Sequence, residues 1–356
     1  MPSEEVSIVL PPAVDRFPYE PHPRGAELTK QAQDWTRKYF GYLATSVKDF
    51  EEWVSGDGSG FCNLGFPHVD DEVVLQFHKW SWLMLVMDDL MSSDGGKLGY
   101  NPKAGAEIAR IIQDVLHDRV PEKDGPVQRG IAELWEEFRC RFGPSLRERF
   151  VYHMDEMFEG FTYQAQEEYS KGDRSDDEVL AMRFKNGAIA WTTNLVEIGL
   201  NIDLRKDFKE NPTLARMRLI SFKNLLLWHE IVSFRKEYFQ GELGESMNMV
   251  AYWAGYTGPG CNLNRLQEAI DKTHKMLSEE ENEYIELKNE ILASELGKTR
   301  PDICRWMTEM EYLLSGGMRF GFSAPRYNGL GHVWDGKTMS GKLILTPERT
   351  IFPTST

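Results

Sequence analysis

The most informative segment of this 356-residue sequence is Val86-Met87-Asp88-Asp89-Leu90-Met91-Ser92-Ser93-Asp94, which closes an apolar run that begins near Phe77. Adjacent carboxylates beside an apolar wall repel each other, and this raises their pKa values. A divalent cation bound to the carboxylate oxygens removes that cost. The segment therefore predicts a helix that ends in a metal-binding acidic cluster. An isolated Asp-Asp pair is more often a solvated helix end. Further candidate ligands elsewhere in the sequence are therefore needed to support a metal site.

Helical periodicity continues on both sides of the acidic segment. From Glu27 onward, apolar residues recur at three- and four-residue steps, which is the pattern of one helix face. No convincing set of strands with period-two alternation is visible. The sequence therefore predicts one all-α domain of about ten helices. After the first helix, the predicted helices cover 70–90, 103–118, 126–140, 144–170, 177–200, 212–240, 262–295 and 302–320.

Three parts can be distinguished along the chain. Residues 1–26 contain six prolines and predict an irregular N-terminal arm. Residues 27–328 carry the helical periodicity and form the predicted domain. Residues 329–356 form a C-terminal tail, to which the sequence assigns no function.

Charge and cysteine content argue against several classes of protein. The formal net charge of −15 makes nucleic acid an unsuitable partner. Cys62, Cys140, Cys261 and Cys304 form no CxxC pair, so neither a zinc site nor a disulfide framework is expected. The longest apolar runs are too short to cross a bilayer, and the N-terminus lacks the pattern of a signal peptide. We therefore expect a cytoplasmic protein without membrane insertion.

A second polar pattern follows Trp228. His229, Ser233 and Glu237 are spaced four residues apart and share one helix face. An imidazole, a hydroxyl and a carboxylate on one face predict a divalent-cation site, and Lys236 beside them can meet an anion. On spacing alone, a solvated helix face is the commoner explanation.

Two arginines stand in unusual positions. Arg183 is followed by Gly187 within an apolar helix, where glycine costs about 1 kcal/mol relative to alanine. Arg326 follows the last predicted helix, from which it can fold over the mouth of a helical bundle. Taken singly, each position also suits an ordinary surface arginine.

Taken together, the order and spacing of these residues resemble the motifs of class I terpene synthases, α-helical enzymes that ionise isoprenyl diphosphates with three Mg²⁺ ions. The acidic segment resembles the aspartate-rich motif of that family. The second pattern resembles its Asn/Asp–Ser/Thr–Glu triad. The resemblance implies metal binding by Asp88, Asp89, Asp94, His229, Ser233 and Glu237.

The diphosphate-binding residues of the family also have counterparts. Arg183 lies 46 residues before His229, where the family places its diphosphate-sensing arginine. Asn186 and Gly187 resemble the linker and the carbonyl-presenting effector residue, so that the resemblance implies a catalytic role for this segment. It further implies diphosphate binding by Arg183, Lys236, Arg326 and Tyr327.

The resemblance covers roughly residues 30–330 and implies both a fold and a reaction. The fold is a single-domain helical bundle around a central apolar cavity. The reaction is the ionisation of an isoprenyl diphosphate, farnesyl diphosphate for a chain of this length, and cyclisation of the carbocation. Mg²⁺ is the implied metal, Mn²⁺ is an alternative, and a homodimer is compatible with the family. The residues expected to line the cavity are Phe61, Phe77, Trp82, Leu85, Phe158, Trp191 and Phe320.

The sequence departs from the family pattern at two positions. Ser92 stands where a third carboxylate is usual, and His229 stands where the family has Asn or Asp. Imidazole suits Mn²⁺ and later metals better than Mg²⁺. Three alternatives follow: His229 binds metal directly, binds it through water, or leaves the role to Glu230.

Other functions compete with this interpretation. Geranylgeranyl diphosphate is the alternative substrate, and a non-catalytic isoprenoid-binding relative is the alternative to an enzyme. An isoprenyl diphosphate synthase would carry a second Asp-Asp-x-x-Asp motif, and a di-metal oxygenase bundle would carry paired Glu-x-x-His motifs. The sequence supports neither of the last two.

Overall fold

The computed structural model describes residues 5–13, 15–91, 98–119, 125–164, 174–241, 243, 248–256 and 264–353, with no side chains described for 162–164. These residues are mostly helical, so the all-α prediction is confirmed. The helices are α1 Gly25–Phe40, α2 Val47–Ser55, α3 Phe61–Gly65, α4 Asp71–Met91, α5 Pro102–Leu116, α6 Pro126–Arg141, α7 Pro144–Gln164, α8 Asp176–Asn186, α9 Ile189–Leu200, α10 Arg205–Glu210, α11 Pro212–Gln240, α12 Met249–Ala254, α13 Leu266–Ala293, α14 Glu295–Thr299, α15 Pro301–Ser323 and α16 Pro325–Asn328. The strands are β1 Val6–Leu10, β2 Gly341–Leu345 and β3 Thr350–Ile351.

Two helices organise the bundle. Helix α4 packs against α1 and α5, and α11 packs against α13 and α15. Helix α4 is buried on nearly all sides, as its continuous apolar sequence from Phe77 to Val86 requires. Helix α9 contacts α4, α7, α11 and α15, so it lies between the two organising helices.

The helix predicted over 177–200 is broken in the middle. Ser175 is the N-cap of α8 and forms a capping box with Glu178. The chain leaves helical geometry at Gly187, and Ala188 adopts a left-handed conformation with φ of 55°. That conformation is costly for a residue with a Cβ, so the surrounding structure must hold it in place.

The N-terminal arm is not irregular throughout, contrary to the sequence prediction. Strand β1 pairs antiparallel with β2 of the C-terminal tail, with Val6 opposite Leu345 and Leu10 opposite Gly341. Strand β3 extends this small sheet. Ile8 and Leu10 point to the buried face. The sequence analysis missed these strands because each is short and its partner lies at the other end of the chain.

No helix within the described ranges combines the length and apolar character that crossing a membrane requires.

Candidate active site

A cavity of about 210 Å³ lies between α4, α7, α8, α9, α11 and α15. Its lining divides into an apolar part and a polar end. On α4, Leu85 precedes Asp88, and on α11, Leu225 precedes His229, so each helix turns from apolar to polar within about one helical turn. The cavity therefore suits a ligand with an apolar body and a charged head.

Asp88 and Asp89 face different surroundings at the end of α4. Asp88 lines the cavity, and its side chain is 34% exposed. Asp89 is buried beneath it, where Arg326 donates two hydrogen bonds to its two carboxylate oxygens, at 2.7 and 2.8 Å. Trp53 Nε1 donates a third hydrogen bond, at 2.6 Å, and Lys236 Nζ lies 3.8 Å from Asp89 Oδ1.

The two carboxylates differ in pKa for this reason. Burial raises the pKa of Asp88, and the neighbouring charge of Asp89 raises it further. Burial also acts on Asp89, but the charge and hydrogen bonds of Arg326 outweigh it and hold the pKa of Asp89 at about 2. Asp94, predicted as the third carboxylate of the motif, lies outside the described residues.

His229, Ser233 and Glu237 lie on one face of α11, and all three line the cavity. The His229 ring packs edge-on against Tyr327, with 5.7 Å between ring centroids. Burial lowers the pKa of His229 to about 4, an effect that Glu237 only partly offsets. The imidazole is therefore neutral at pH 7 and keeps a nitrogen lone pair with which it can bind a metal.

Asn248 organises this face of α11, and the sequence analysis missed it. Its buried amide nitrogen donates to the Glu230 carbonyl at 2.8 Å, to Ser233 Oγ at 3.3 Å and to Glu237 Oε2 at 2.9 Å. Its amide oxygen caps the first turn of α12. The sequence signal was slight, since it consists of an asparagine before a short apolar helix.

Arg183 is held by a buried carboxylate. Its Nη2 lies 2.5 Å from Glu230 Oε1 and its Nε 3.3 Å from Glu230 Oε2, and Glu230 is fully buried. Glu230 also accepts a backbone hydrogen bond from Met249 and does not line the cavity. Glu230 therefore orients Arg183, and the structure does not support the alternative in which it replaces His229 as a metal ligand.

The break between α8 and α9 forms part of the cavity wall. Asn186, Gly187 and Ala188 all line it, and Arg183 Nη1 donates to Asn186 Oδ1 at 2.9 Å. Helix α7 passes close to the break, because a Cβ added to Gly160 would lie 2.7 Å from the Asn186 backbone nitrogen. The arginine, the amide and the non-helical peptide are thus fixed relative to one another.

Of the seven residues predicted to line the cavity, four line it and three lie in the hydrophobic core. Phe61, Leu85, Trp191 and Phe320 line the cavity. Three others do not line it: Phe77, Trp82 and Phe158 belong to the hydrophobic core. Trp82, for example, packs against Trp53 with ring centroids 4.8 Å apart. Because α4 is buried on almost every side, helical spacing alone could not separate cavity residues from core residues. Lining residues that the sequence analysis did not single out include Met84, Met157, Phe161, Ile189 and Val232.

The polar end fits divalent cations held jointly with an anionic ligand. Carboxylate and hydroxyl oxygens of Asp88, Ser233 and Glu237 are ligands that hard cations prefer. In the described part of the chain, no three His, Cys, Asp or Glu side chains converge on one point. A diphosphate can supply further oxygen ligands to an ion bound at this end. Arg183, Lys236 and Arg326 line the same end and complement the negative charge of such a group.

Comparison with known proteins agrees with this geometry. Residues 79–283, more than half of the chain, match the family described as terpene synthase family 2, C-terminal metal binding. The chain belongs to this terpene synthase family. It is therefore an enzyme that ionises and cyclises an isoprenyl diphosphate, and the resemblance to class I terpene synthases is confirmed.

Individual relatives of this terpene synthase are distant in sequence. It is 22% identical to Microbial Terpene synthase-like protein 13 of Selaginella moellendorffii, over 69% of this chain and 66% of that protein. It is 21% identical to (3S,6E)-nerolidol synthase of the same organism, over 96% of this chain and 90% of that enzyme. Among solved structures, hedycaryol synthase in complex with nerolidol has the same fold, with a TM-score of 0.65 and 19% identity over 87% of this chain and 98% of that chain.

Asn248→Asp is expected to weaken binding of inorganic diphosphate in the presence of Mg²⁺ by about 10–100-fold, the usual effect of changing a residue that orients metal ligands. The aspartate keeps the cap of α12, but it replaces the amide donor with a carboxylate that repels Glu237. Isothermal titration calorimetry measures the change. Asn101→Asp, at the cap of α5, is the matched control. Unchanged binding by the Asn248 variant would show that this amide does not position the triad.

Proposed function

We propose that this terpene synthase ionises farnesyl diphosphate, cyclises the resulting carbocation to a sesquiterpene and releases diphosphate. The observation that supports this is an apolar cavity closed at one end by two acidic motifs and by Arg183, Lys236 and Arg326. The apolar part suits the isoprenyl chain and the charged end suits the diphosphate. Nerolidol, which names one relative and is bound in one similar structure, is a fifteen-carbon compound, and this favours the farnesyl chain.

The metal-binding residues in this proposal come from two helices. Asp88 on α4, and Ser233 and Glu237 with His229 on α11, would hold the divalent ions, three Mg²⁺ by resemblance to the family. When bound, such ions supply positive charge to the diphosphate oxygens and so make diphosphate a better leaving group. Asp89 has a different task, because both of its oxygens already hold Arg326.

The cationic residues bind and orient the diphosphate. Arg183 and Arg326 are each fixed in position by a buried carboxylate, Glu230 and Asp89 respectively. Donors that are held in place before the reaction need little reorganisation as charge develops on the leaving group. Lys236 and Tyr327 line the same end and are proposed to contact the same group.

The remaining wall residues act on the carbocation. The Gly187 carbonyl, at the helix break, is proposed to stabilise the nascent positive charge, with Asn186 linking this peptide to Arg183. Aromatic faces attract cations, and Phe61, Trp191 and Phe320 can serve in this way. The same apolar wall keeps water away from the cation.

The proposal is tested by incubating the purified protein with geranyl, farnesyl and geranylgeranyl diphosphates, each with Mg²⁺ and with Mn²⁺. Gas chromatography–mass spectrometry then identifies the organic products. A cyclic fifteen-carbon product from farnesyl diphosphate is expected, and EDTA should abolish it. A product from geranylgeranyl diphosphate alone would replace the proposed substrate. Absence of any product from farnesyl diphosphate would overturn the proposed substrate.

His229→Asn is expected to raise the rate with Mg²⁺ several-fold and to lower the ratio of Mn²⁺ to Mg²⁺ activity, since an amide oxygen suits Mg²⁺ better than imidazole. Product formation and Mn²⁺ binding, followed by electron paramagnetic resonance, measure the two effects. His153→Asn is the control, because His153 is a buried histidine outside the cavity lining. A lower rate with both metals would show that His229 has a task of its own.

A further inference from the structure

Arg235 is a buried cation that binds backbone carbonyls instead of a carboxylate. It lies on α11, two residues after Ser233. Its exposed fraction is 7%, and it does not line the cavity. Its Nε donates to Thr346 O at 2.9 Å, its Nη2 to Pro347 O at 2.6 Å and its Nη1 to Tyr327 O at 3.0 Å. Burial lowers the pKa of Arg235 to about 10, and the charge of Glu348 offsets this effect only in part.

The three carbonyls belong to two segments that Arg235 joins. Thr346 and Pro347 lie in the turn between β2 and β3 of the C-terminal tail, whereas Tyr327 belongs to α16, next to Arg326. Burying a cation is expensive, and removing it leaves several carbonyls without their donor. So costly a contact indicates that the position of α16 relative to the turn between β2 and β3 is important for the protein.

A glycine allows the same turn to approach the Arg326 segment directly. Gly329 follows α16 with φ of +98°, and a Cβ added there would lie 2.0 Å from Glu348 O. Asn328 is buried and donates to the Gly321, Phe322 and Ala324 carbonyls at the end of α15. The backbone of residues 325–329 is therefore held by the tail on one side and by α15 on the other.

The tail also packs against the end of α15. Trp334 stacks on Phe322, with ring centroids 6.1 Å apart, and His332 Nε2 hydrogen-bonds to Phe322 O at 2.9 Å. Strand β2 is paired with β1 of the N-terminal arm. The turn that contacts Arg235 is thus fixed to the rest of the molecule by side-chain packing and by the sheet.

We propose that the C-terminal tail, residues 329–353, is a brace for the active site, and that Arg235 is the positioning residue through which the tail holds Arg326 and Tyr327 in place for the diphosphate. Continuous contacts run from the tail carbonyls through the Arg235 guanidinium to the Tyr327 carbonyl, and from Arg326 to Asp89. No residue of the tail lines the cavity, so the tail acts on it through the segment that carries Arg326 and Tyr327. The proposal rests on the diphosphate-binding role proposed above for Arg326.

Calorimetric titration of the full chain with inorganic diphosphate in Mg²⁺ tests the brace. Arg235→Met is expected to weaken binding about 10-fold or more. Arg235→Lys, which can still donate to carbonyls, should recover part of the loss. Arg319→Met is the matched control, because Arg319 ties Asp15 of the N-terminal arm to α15 and does not line the cavity. It should lower the melting temperature without weakening binding.

A pair of glycines provides a second test that leaves Arg235 intact. Gly329→Ala and Gly331→Ala both place alanine at a positive φ, of +98° and +78°. Only the first introduces a clash, since nothing lies within 4 Å of a Cβ on Gly331. Gly329→Ala is therefore expected to weaken diphosphate binding several-fold, whereas Gly331→Ala should leave it unchanged.

The outcomes separate this proposal from the proposed function. If the wild-type protein does not bind diphosphate with Mg²⁺, the proposed function fails and the brace fails with it. If the wild type binds but Arg235→Met and Gly329→Ala bind equally well, only the brace is overturned. Equal weakening by Arg319→Met would also overturn it, because general destabilisation would then explain the loss.

Discussion

Asp88→Asn should reduce product formation by about 10³-fold, the scale of losing one group that stabilises charge in a transition state. The substitution keeps the size of the side chain but removes the charge that holds a metal ion at the cavity. Stability should change little, because Asp88 is 34% exposed and its contact with Arg326 is long, at 3.6 Å. Product quantification by gas chromatography and thermal melting of the same preparation measure both quantities.

Asp89→Asn should be compared with Asp88→Asn in both activity and melting temperature. It removes charge from a buried side chain that accepts two hydrogen bonds from Arg326 and one from Trp53. We therefore expect Asp89→Asn to lower the melting temperature as well as the activity. Substantial turnover by Asp88→Asn would mean that Asp88 is not a metal ligand, whereas equal melting of both variants would contradict the division of tasks between the two carboxylates.

Arg183→Met should abolish turnover and also destabilise the protein by about 3–5 kcal/mol, the usual cost of leaving a buried charge without its partner. The stranded charge is Glu230, which is fully buried. The double variant Arg183→Met/Glu230→Gln should regain most of the stability and none of the activity. Chemical denaturation and product formation separate the two roles of Arg183.

A second buried pair serves as the control for this experiment. Arg149 on α7 pairs with Glu197 on α9, both side chains are buried, and neither lines the cavity. Arg149→Met/Glu197→Gln should therefore alter stability and retain turnover. Activity in the Arg183→Met/Glu230→Gln protein would show that Arg183 has only a structural role.

The parts of the fold that were predictable from sequence are those specified by local pattern. The helices α4 and α11 were expected at 70–90 and 212–240 and are found at Asp71–Met91 and Pro212–Gln240. Four-residue spacing on one helix is a local property, so the common face of His229, Ser233 and Glu237 could be foreseen. The order of the motifs along the chain then indicated the family.

The parts that could not be predicted depend on contacts between distant segments. The different surroundings of Asp88 and Asp89 arise from Arg326 and Trp53, which lie far away in sequence. The roles of Asn248 and Arg235 are likewise set by tertiary hydrogen bonds, and neither belongs to a spacing pattern. The cavity and core faces of α4 look alike in sequence because both are apolar.

The pairing of β1 with β2 has a consequence for how the enzyme is made. Contacts between residues so far apart in sequence carry more loop-closure entropy than local contacts, so we expect them to form late in folding. Strand β1 is synthesised before the helices of the described structure, whereas its partner, Gly341–Leu345, is synthesised after them. A nascent chain can thus collapse its helical bundle while the segment that carries Arg326 still lacks its contacts with the tail. The ability to bind diphosphate would then be acquired only after β2 has been synthesised and has paired with β1.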